Sequence, residues 1–153
     1  MCGDVVVVIG PVAEAPSLPV GAPARLTRDP QEGQGPLAGL SAGLAQVTTE
    51  WALVAGGDMP DLATDVLLEM LGVAFEAPVD AVALRDGDLP RPLPLAVRCA
   101  PAREAIHGLL HSGERRLRSL LDTLRTAIID QETWTTLDPS RSTLHDIDQP
   151  SDL

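Results

Sequence analysis

A chain of 153 residues holds one domain with a real core and is too short for two of ordinary size. Twenty-two acidic side chains against eleven basic ones give a formal charge of −11, which repels a phosphate backbone and excludes nucleic acid as a partner; every basic residue is an arginine. Hydrophobic residues make up 44% of the chain, enough for a globular fold, but only Trp51, Phe75 and Trp134 are aromatic, so the core must come from Leu, Val, Ile and Ala.

In chain order, the β-branched run DVVVVIG, ended by Gly10 and Pro11, suits a strand buried on both faces. After a proline-rich connection through Pro23, ARLTRD reads as a short strand that delivers Asp29 to a loop, and PQEGQG as that loop. Pro36 suits the first turn of a helix whose Leu37, Leu40, Leu44 and Val47 recur at helical spacing, with Gly39 and Gly43 allowing a neighbour close. WALVA is a second buried strand, broken by GGDMPD, and Val66, Leu67, Met70, Leu71 and Ala74 mark a second amphipathic helix. DAVAL is a further strand, with a turn at Asp86-Gly87 and a return strand near Leu93 to Arg98. Two helices follow, on Ala102, Ala105, Ile106, Leu109, Leu110 and on Leu117, Leu120, Leu121, Leu124; then TAIID as a late strand and DQPSDL as a helix start. Alternating strands and helices imply an α/β fold, a mostly parallel sheet covered on both faces, with ligands gathering beyond the strands' carboxyl ends.

Asp58 follows a hydrophobic strand and two glycines that permit a tight backbone. A carboxylate there is placed to hold Mg²⁺ whose coordination a phosphate ligand completes. Read alone, Asp58 is a turn or helix-cap residue. Asp29 ends its own strand ahead of Gly35 and Pro36, so loops bearing the two acids could line one pocket with the amides of the helix start facing an anion; alone, Asp29-Pro30 is a turn opener. In an acidic chain, a divalent metal is what bridges to an anionic ligand.

Taken together, DPQEGQGPLAGLSAGL, WALVAGGDMPDL, RPLPLAVR, GERRLRSLL and the terminal HDIDQPSDL resemble the molybdenum cofactor guanylyltransferases, the MobA-like nucleotidyltransferases, from about Val5 to Leu153. The resemblance implies a Rossmann-like three-layer αβα domain of nucleotide-diphospho-sugar transferase type. Such a domain transfers GMP from GTP to molybdopterin cofactor with Mg²⁺, releases pyrophosphate, and meets molybdoenzymes or other cofactor-biosynthesis proteins. By position, Asp29 matches a GTP-contacting aspartate, Gly35 the glycine that opens the GPLAG loop, and Asp58 the catalytic, Mg²⁺-binding aspartate that also contacts GTP. Arg91 and Gly113 fall on segments of the molybdopterin side, and Asp146 and Asp148 stand where the family has an N-x-N pair of asparagines.

The family's opening strand and glycine-rich loop, of the form L-A-G-G-x-S-x-R-M-G-x-D-K, have no counterpart here, and the chain contains no lysine. It opens at what resembles the family's second strand, so the expectation is an N-terminally incomplete domain: a late start, a fragment or a degenerate relative. The absent strand lies in the family beside the one WALVA resembles, leaving that edge unpaired or the sheet rearranged. Two further readings stay open: a non-catalytic or truncated relative, and a cytidylyl or sugar-nucleotide transferase of the same superfamily.

Other signals are plainer. Glu104, His107 and His111 have ligand-like helical spacing but no evident fourth ligand, and read as a solvated face. Arg115, Arg116 and Arg118 either reach an anionic pterin phosphate or form a surface cluster. Cys2 and Cys99 make no CxxC pair and read as free thiols of a reducing cytosol. No apolar run spans a bilayer and no basic stretch precedes the first one, so no membrane partner and a cytoplasmic location are expected.

Overall fold

The computed structural model describes residues 3–18, 20–21, 23–30 and 34–147. They gather into two compact units, Met1–Glu50 with Cys99–Leu120 and Trp51–Arg98 with Leu121–Leu153, and the chain passes from one to the other three times.

In the first unit, β1 (Val5–Ile9) pairs in parallel with β2 (Ala24–Arg28) from Val5 opposite Ala24 to Ile9 opposite Arg28. The Asp29 N–H extends the ladder to the Ile9 carbonyl at 2.9 Å. β1 is half-buried instead of enclosed on both faces, because among the described residues it pairs with β2 alone. Helix α1 (Pro36–Ala45) packs against β1, and a Cβ at Gly43 would stand 2.9 Å from Val8 Cγ2; the close approach keeps a glycine there despite a helix-propensity cost of about 1 kcal/mol. α1 buries Leu37, Leu40 and Leu44 and packs against α3 (Cys99–His111), which buries Cys99, Ala102 and Ile106. Burial pushes the free Cys99 thiol up from its usual pKa. Arg103 reaches from α3 to the end of α1, its guanidinium donating to the carbonyls of Leu44 and Val47, so a cation meets the negative pole of the helix. α3 ends in a Schellman turn: Gly113 has φ +89°, its N–H donates to Leu110 O at 3.1 Å, and the Glu114 N–H donates to Leu109 O at 2.9 Å. α4 (Arg118–Thr123) follows.

The second unit is built on a four-stranded sheet in the order β3 (Trp51–Val54), β5 (Leu89–Arg98), β4 (Ala81–Asp86), β6 (Thr126–Ile129). β3, β4 and β6 share one direction and β5, the return strand of the Asp86-Gly87 turn, runs against them. Gly87 has φ +61° in a two-residue turn between the paired Asp86 and Leu89, so β5 begins four residues earlier than its apolar run suggests. β3 pairs only with β5 among the described residues and is an edge strand.

β5 also carries a break in register. Ala83 faces Leu95 but its neighbour Leu84 faces Arg91, so Pro92, Leu93 and Pro94 stand out of the ladder. Two prolines there have no N–H to give a neighbouring strand, and the ladder cannot run through them.

Helix α2 (Thr64–Glu76) buries Val66, Met70 and Ala74 at i, i+4 and i+8, and these pack with Trp51, Val82, Leu84, Ala96, Ile129 and Trp134 into one core. Trp134 lies on α5 (Gln131–Leu137), a helix the apolar spacing does not reveal. Its start is visible in chemistry: the Asp130 carboxylate accepts the Thr133 N–H at 2.8 Å, an N-cap. Trp134 is fully buried, and its indole N–H donates to the Arg85 carbonyl at 2.8 Å.

Beyond α5 the chain is tied back at several points. The buried Asp138 carboxylate accepts from the Thr143 N–H at 2.8 Å and from Ser140 Oγ at 2.6 Å, closing the loop before a 3₁₀ turn at Ser142–Leu144. Burial alone would raise the Asp138 pKa, but the bonds from Ser140, Thr143 and Ser142 outweigh it and hold the carboxyl far below the usual range. Thr143, fully buried, accepts the Ala63 N–H on Oγ1 at 3.1 Å. Arg141 lies over the Trp134 ring and pairs with Asp86. The expected helix start at DQPSDL falls at 148–153, outside the described residues. Among the described residues no helix is long and apolar enough to cross a membrane.

Asp80, at the entry to β4, is buried and gripped by a guanidinium fork: Arg125 Nε to Oδ2 at 2.6 Å and Nη2 to Oδ1 at 2.9 Å. The Arg125 bonds lower the Asp80 pKa against the opposing effect of burial.

Two outcomes follow. Trp134→Ala should cost about 3–5 kcal/mol in urea unfolding, since it empties a core site and orphans the Arg85 carbonyl; a loss below about 1 kcal/mol would contradict the packing. Asp80 and Asp138 titrate below their unfolded value of about 4, so their stabilisation is present above that pH and fades as pH falls through the folded values. The gap in melting temperature between the chain and its Asp138→Asn variant should therefore be widest above pH 5 and close toward pH 2.

Candidate functional site

β3 ends at Val54 and the chain turns through Gly56-Gly57-Asp58-Met59, closed by the Met59 N–H to the Gly56 carbonyl at 3.3 Å. The Asp58 carboxylate folds over Gly56, where any Cβ would overlap Oδ1; the glycine is what lets the acid sit there. Met59 is buried, its Sδ 3.4 Å from the Gly56 N–H. Asp58 is exposed, and its carboxylate has no hydrogen-bond or ion-pair partner among the described residues. Its main chain is held: the Asp58 carbonyl accepts the Ile147 N–H at 2.8 Å.

The proline bulge of β5 completes the surroundings. Asp58, Met59, Arg91, Pro92, Leu93 and Asp146 line a groove of about 320 Å³. Arg91 Nη2 donates to Asp146 Oδ2 at 3.1 Å, with both side chains a little over a third exposed, while Arg91 Nε is buried without a hydrogen-bond partner among the described residues. An exposed carboxylate free of partners fits a hard cation that keeps several of its waters. A closed cage would need more ligands, and among the described residues no three His, Cys, Asp or Glu side chains gather.

A second groove, of about 310 Å³, belongs to the first unit: Asp29, Pro30, Gln34, Leu110 and Arg115 line it together with Ala38, Ser41, Ala42 and Ala45 of α1. Gly35 begins α1 with φ +81°, and a Cβ there would meet Arg115 Cβ at 3.0 Å and Arg115 O at 3.1 Å. The helix start does not present its amides to an anion as expected, because Pro36 has none, the Leu37 N–H is given to Arg115 O at 3.3 Å and the Ala38 N–H to Gly35 O at 3.2 Å. Arg115 is also the member of its arginine group that lines the groove. Glu114 shapes that stretch, accepting the N–H groups of Arg115 at 2.8 Å and Arg116 at 3.0 Å, the Arg116 guanidinium, and Ser119 Oγ at 2.7 Å. The Arg116 side chain above all holds the Glu114 carboxyl far below the usual carboxylate range.

The structure thus brings Asp58, Arg91 and Asp146 together, and puts Asp29 and, through Arg115, Gly35 at the other groove. Gly113 has the conformation its helix cap requires. Asp148 lies outside the described residues. Glu104, His107 and His111 are exposed on α3. Sequence reasoning missed Ile147, which acts through its main chain, and Met59, which props the turn from beneath; no residue pattern advertises either role.

A model of the MobA-like NTP transferase domain matches residues 1–128. A "Probable molybdenum cofactor guanylyltransferase" of Chloroflexus aggregans is 32% identical over 155 residues, covering 100% of this chain and 72% of that protein. A relative of the same description in Deinococcus radiodurans is 33% identical over 101 residues, 66% of this chain and 52% of its own length. Among solved structures, molybdopterin-guanine dinucleotide biosynthesis protein A from Archaeoglobus fulgidus superposes with a TM-score of 0.71 at 25% identity, over 84% of this chain and 64% of that one. The 2-C-methyl-D-erythritol 4-phosphate cytidylyltransferase of Thermus thermophilus shares the fold at 18% identity, with a TM-score of 0.72 over 98% of this chain and 78% of that one. The chain therefore spans between about half and three quarters of the length of these proteins. With the family model matched over most of the chain and the same α/β fold in its solved neighbours, the chain belongs to the MobA-like NTP transferase domain family.

Proposed function

We propose that the chain serves the Mg²⁺-dependent transfer of GMP from GTP to molybdopterin cofactor, with release of pyrophosphate, in the cytoplasm. The observation that carries this reading is Asp58: an exposed carboxylate in the turn after β3, without a partner among the described residues, held by its main chain in a groove that also contains an arginine.

Mg²⁺, when bound, would supply the positive charge that offsets the phosphates and the leaving pyrophosphate. The chain's own residues position. The Gly56 turn and the Ile147 bond fix where the Asp58 oxygens stand, so little reorganisation is left for the reaction itself. Arg91 is a planar donor able to take phosphate oxygens in pairs. Asp29 and Gly35 are assigned to GTP by the family pattern, and Gly113 and Asp148 to the molybdopterin side by the same pattern. Guanine as the base rests on the names of the relatives, because Asp29 accepts hydrogen bonds from other bases as readily. Contact with molybdoenzymes or other cofactor-biosynthesis proteins follows from the same reading.

Pyrophosphate release from GTP, with molybdopterin and Mg²⁺ present, is the test. Asp58→Asn should lower the rate on the order of a hundredfold while leaving the melting temperature unchanged, as expected for a positioned charge-stabilising group that is exposed. Chelation by EDTA should abolish the reaction in the unsubstituted chain, and CTP should support it poorly. Turnover by Asp58→Asn within twofold of the original would contradict the assignment, and equal rates with CTP would contradict the choice of base.

A further inference from the structure

We propose that Asp146 is a displaceable counter-ion for Arg91, so that the groove beside Asp58 accepts phosphate ligands as divalent-metal complexes and disfavours the bare anions. The inference rests on the reading that this groove takes phosphates, and adds how it selects their charge state.

The groove holds two carboxylates, Asp58 and Asp146, and one guanidinium, Arg91. Arg91 is not idle: its Nη2 sits 3.1 Å from Asp146 Oδ2. Its Nε is buried and without a hydrogen-bond partner among the described residues, a donor that the Asp146 pair does not use. A free phosphate or pyrophosphate entering here meets a net negative wall and has to compete with Asp146 for the same cation. An anion that arrives with a divalent cation brings the charge that Asp58 prefers, and it relieves the repulsion from Asp146 at the same time. The two acids are also mechanically linked, since the residue after Asp146 gives its N–H to the Asp58 carbonyl at 2.8 Å. Asp146 is thus a positioning residue: it acts through Arg91, and its backbone neighbour acts on the Asp58 turn.

The probe is inorganic pyrophosphate, titrated calorimetrically in EDTA and in excess Mg²⁺. Asp146→Asn keeps the side-chain shape and removes the charge. In EDTA it should tighten pyrophosphate binding about fivefold, the upper end of what a partly exposed ion pair contributes. The gain should be smaller in Mg²⁺. In an Arg91→Gln background the same substitution should give no gain in EDTA beyond the modest effect of net charge, since no guanidinium is left to release. Unchanged or weaker metal-free binding by Asp146→Asn, in a variant whose circular dichroism and melting match the original, would overturn the proposal. Asp58→Asn separates the two readings: if it leaves magnesium-dependent binding intact, the metal assignment falls, while a gain from Asp146→Asn still supports the counter-ion.

Discussion

The hydrogen bond from the Ile147 N–H to the Asp58 carbonyl is the interaction on which the groove beside Asp58 depends. Asp58 follows two glycines, and a turn of that composition has many conformations open to it. A main-chain bond from a distant stretch of chain removes most of them. That stretch is in turn held by bonds of its own: Asp138 gathers Ser140 and Thr143, Thr143 takes the Ala63 N–H, and Arg141 lies on the buried Trp134. Packing in the core is thereby carried out to an exposed carboxylate, which is how a loop acid comes to have a defined place.

Charge sets the second constraint. An acidic chain without lysine has only its arginines to meet an anion, and most of those with described contacts already serve the fold. Arg103 closes the end of α1, Arg125 grips Asp80, Arg116 neutralises Glu114, and Arg141 pairs with Asp86. Arg91 and Arg115 line the two grooves described above, and Arg91 shares itself with Asp146. A phosphate ligand in such a protein is most economically handled through a divalent cation, which turns the acidic excess from an obstacle into a binding determinant.

Much of this was legible in the sequence where one residue type has one physical consequence. The valine run of β1, the Pro36 start of α1, the i, i+4 apolar rows of α1 and α2, and the Asp86-Gly87 turn all appear where residue chemistry puts them. The positions of Asp29 and Asp58 just beyond the ends of β2 and β3 follow from the sequence for the same reason. α5 was missed because a seven-residue helix with one buried residue has no periodicity to read, although Asp130 announces its cap. The early start of β5 was missed because prolines normally argue against a strand; here three residues simply leave the ladder and the strand resumes. The amides of α1 were misjudged because their partner, the Arg115 carbonyl, comes from a distant part of the chain. Gly113 matched a family segment, yet its geometry is that of a helix cap. Long-range main-chain bonds leave no mark on composition or spacing, and the Ile147 bond is the one that matters most.

Paramagnetic broadening of backbone amide signals by substoichiometric Mn²⁺, recorded with GTP present, reads the position of the cation directly. Gly57, Asp58, Met59 and Ile147 should lose intensity first, and Asp58→Asn should remove the effect. Broadening centred on other acids, with residues 56–59 untouched, would contradict the placement of the metal at the end of β3.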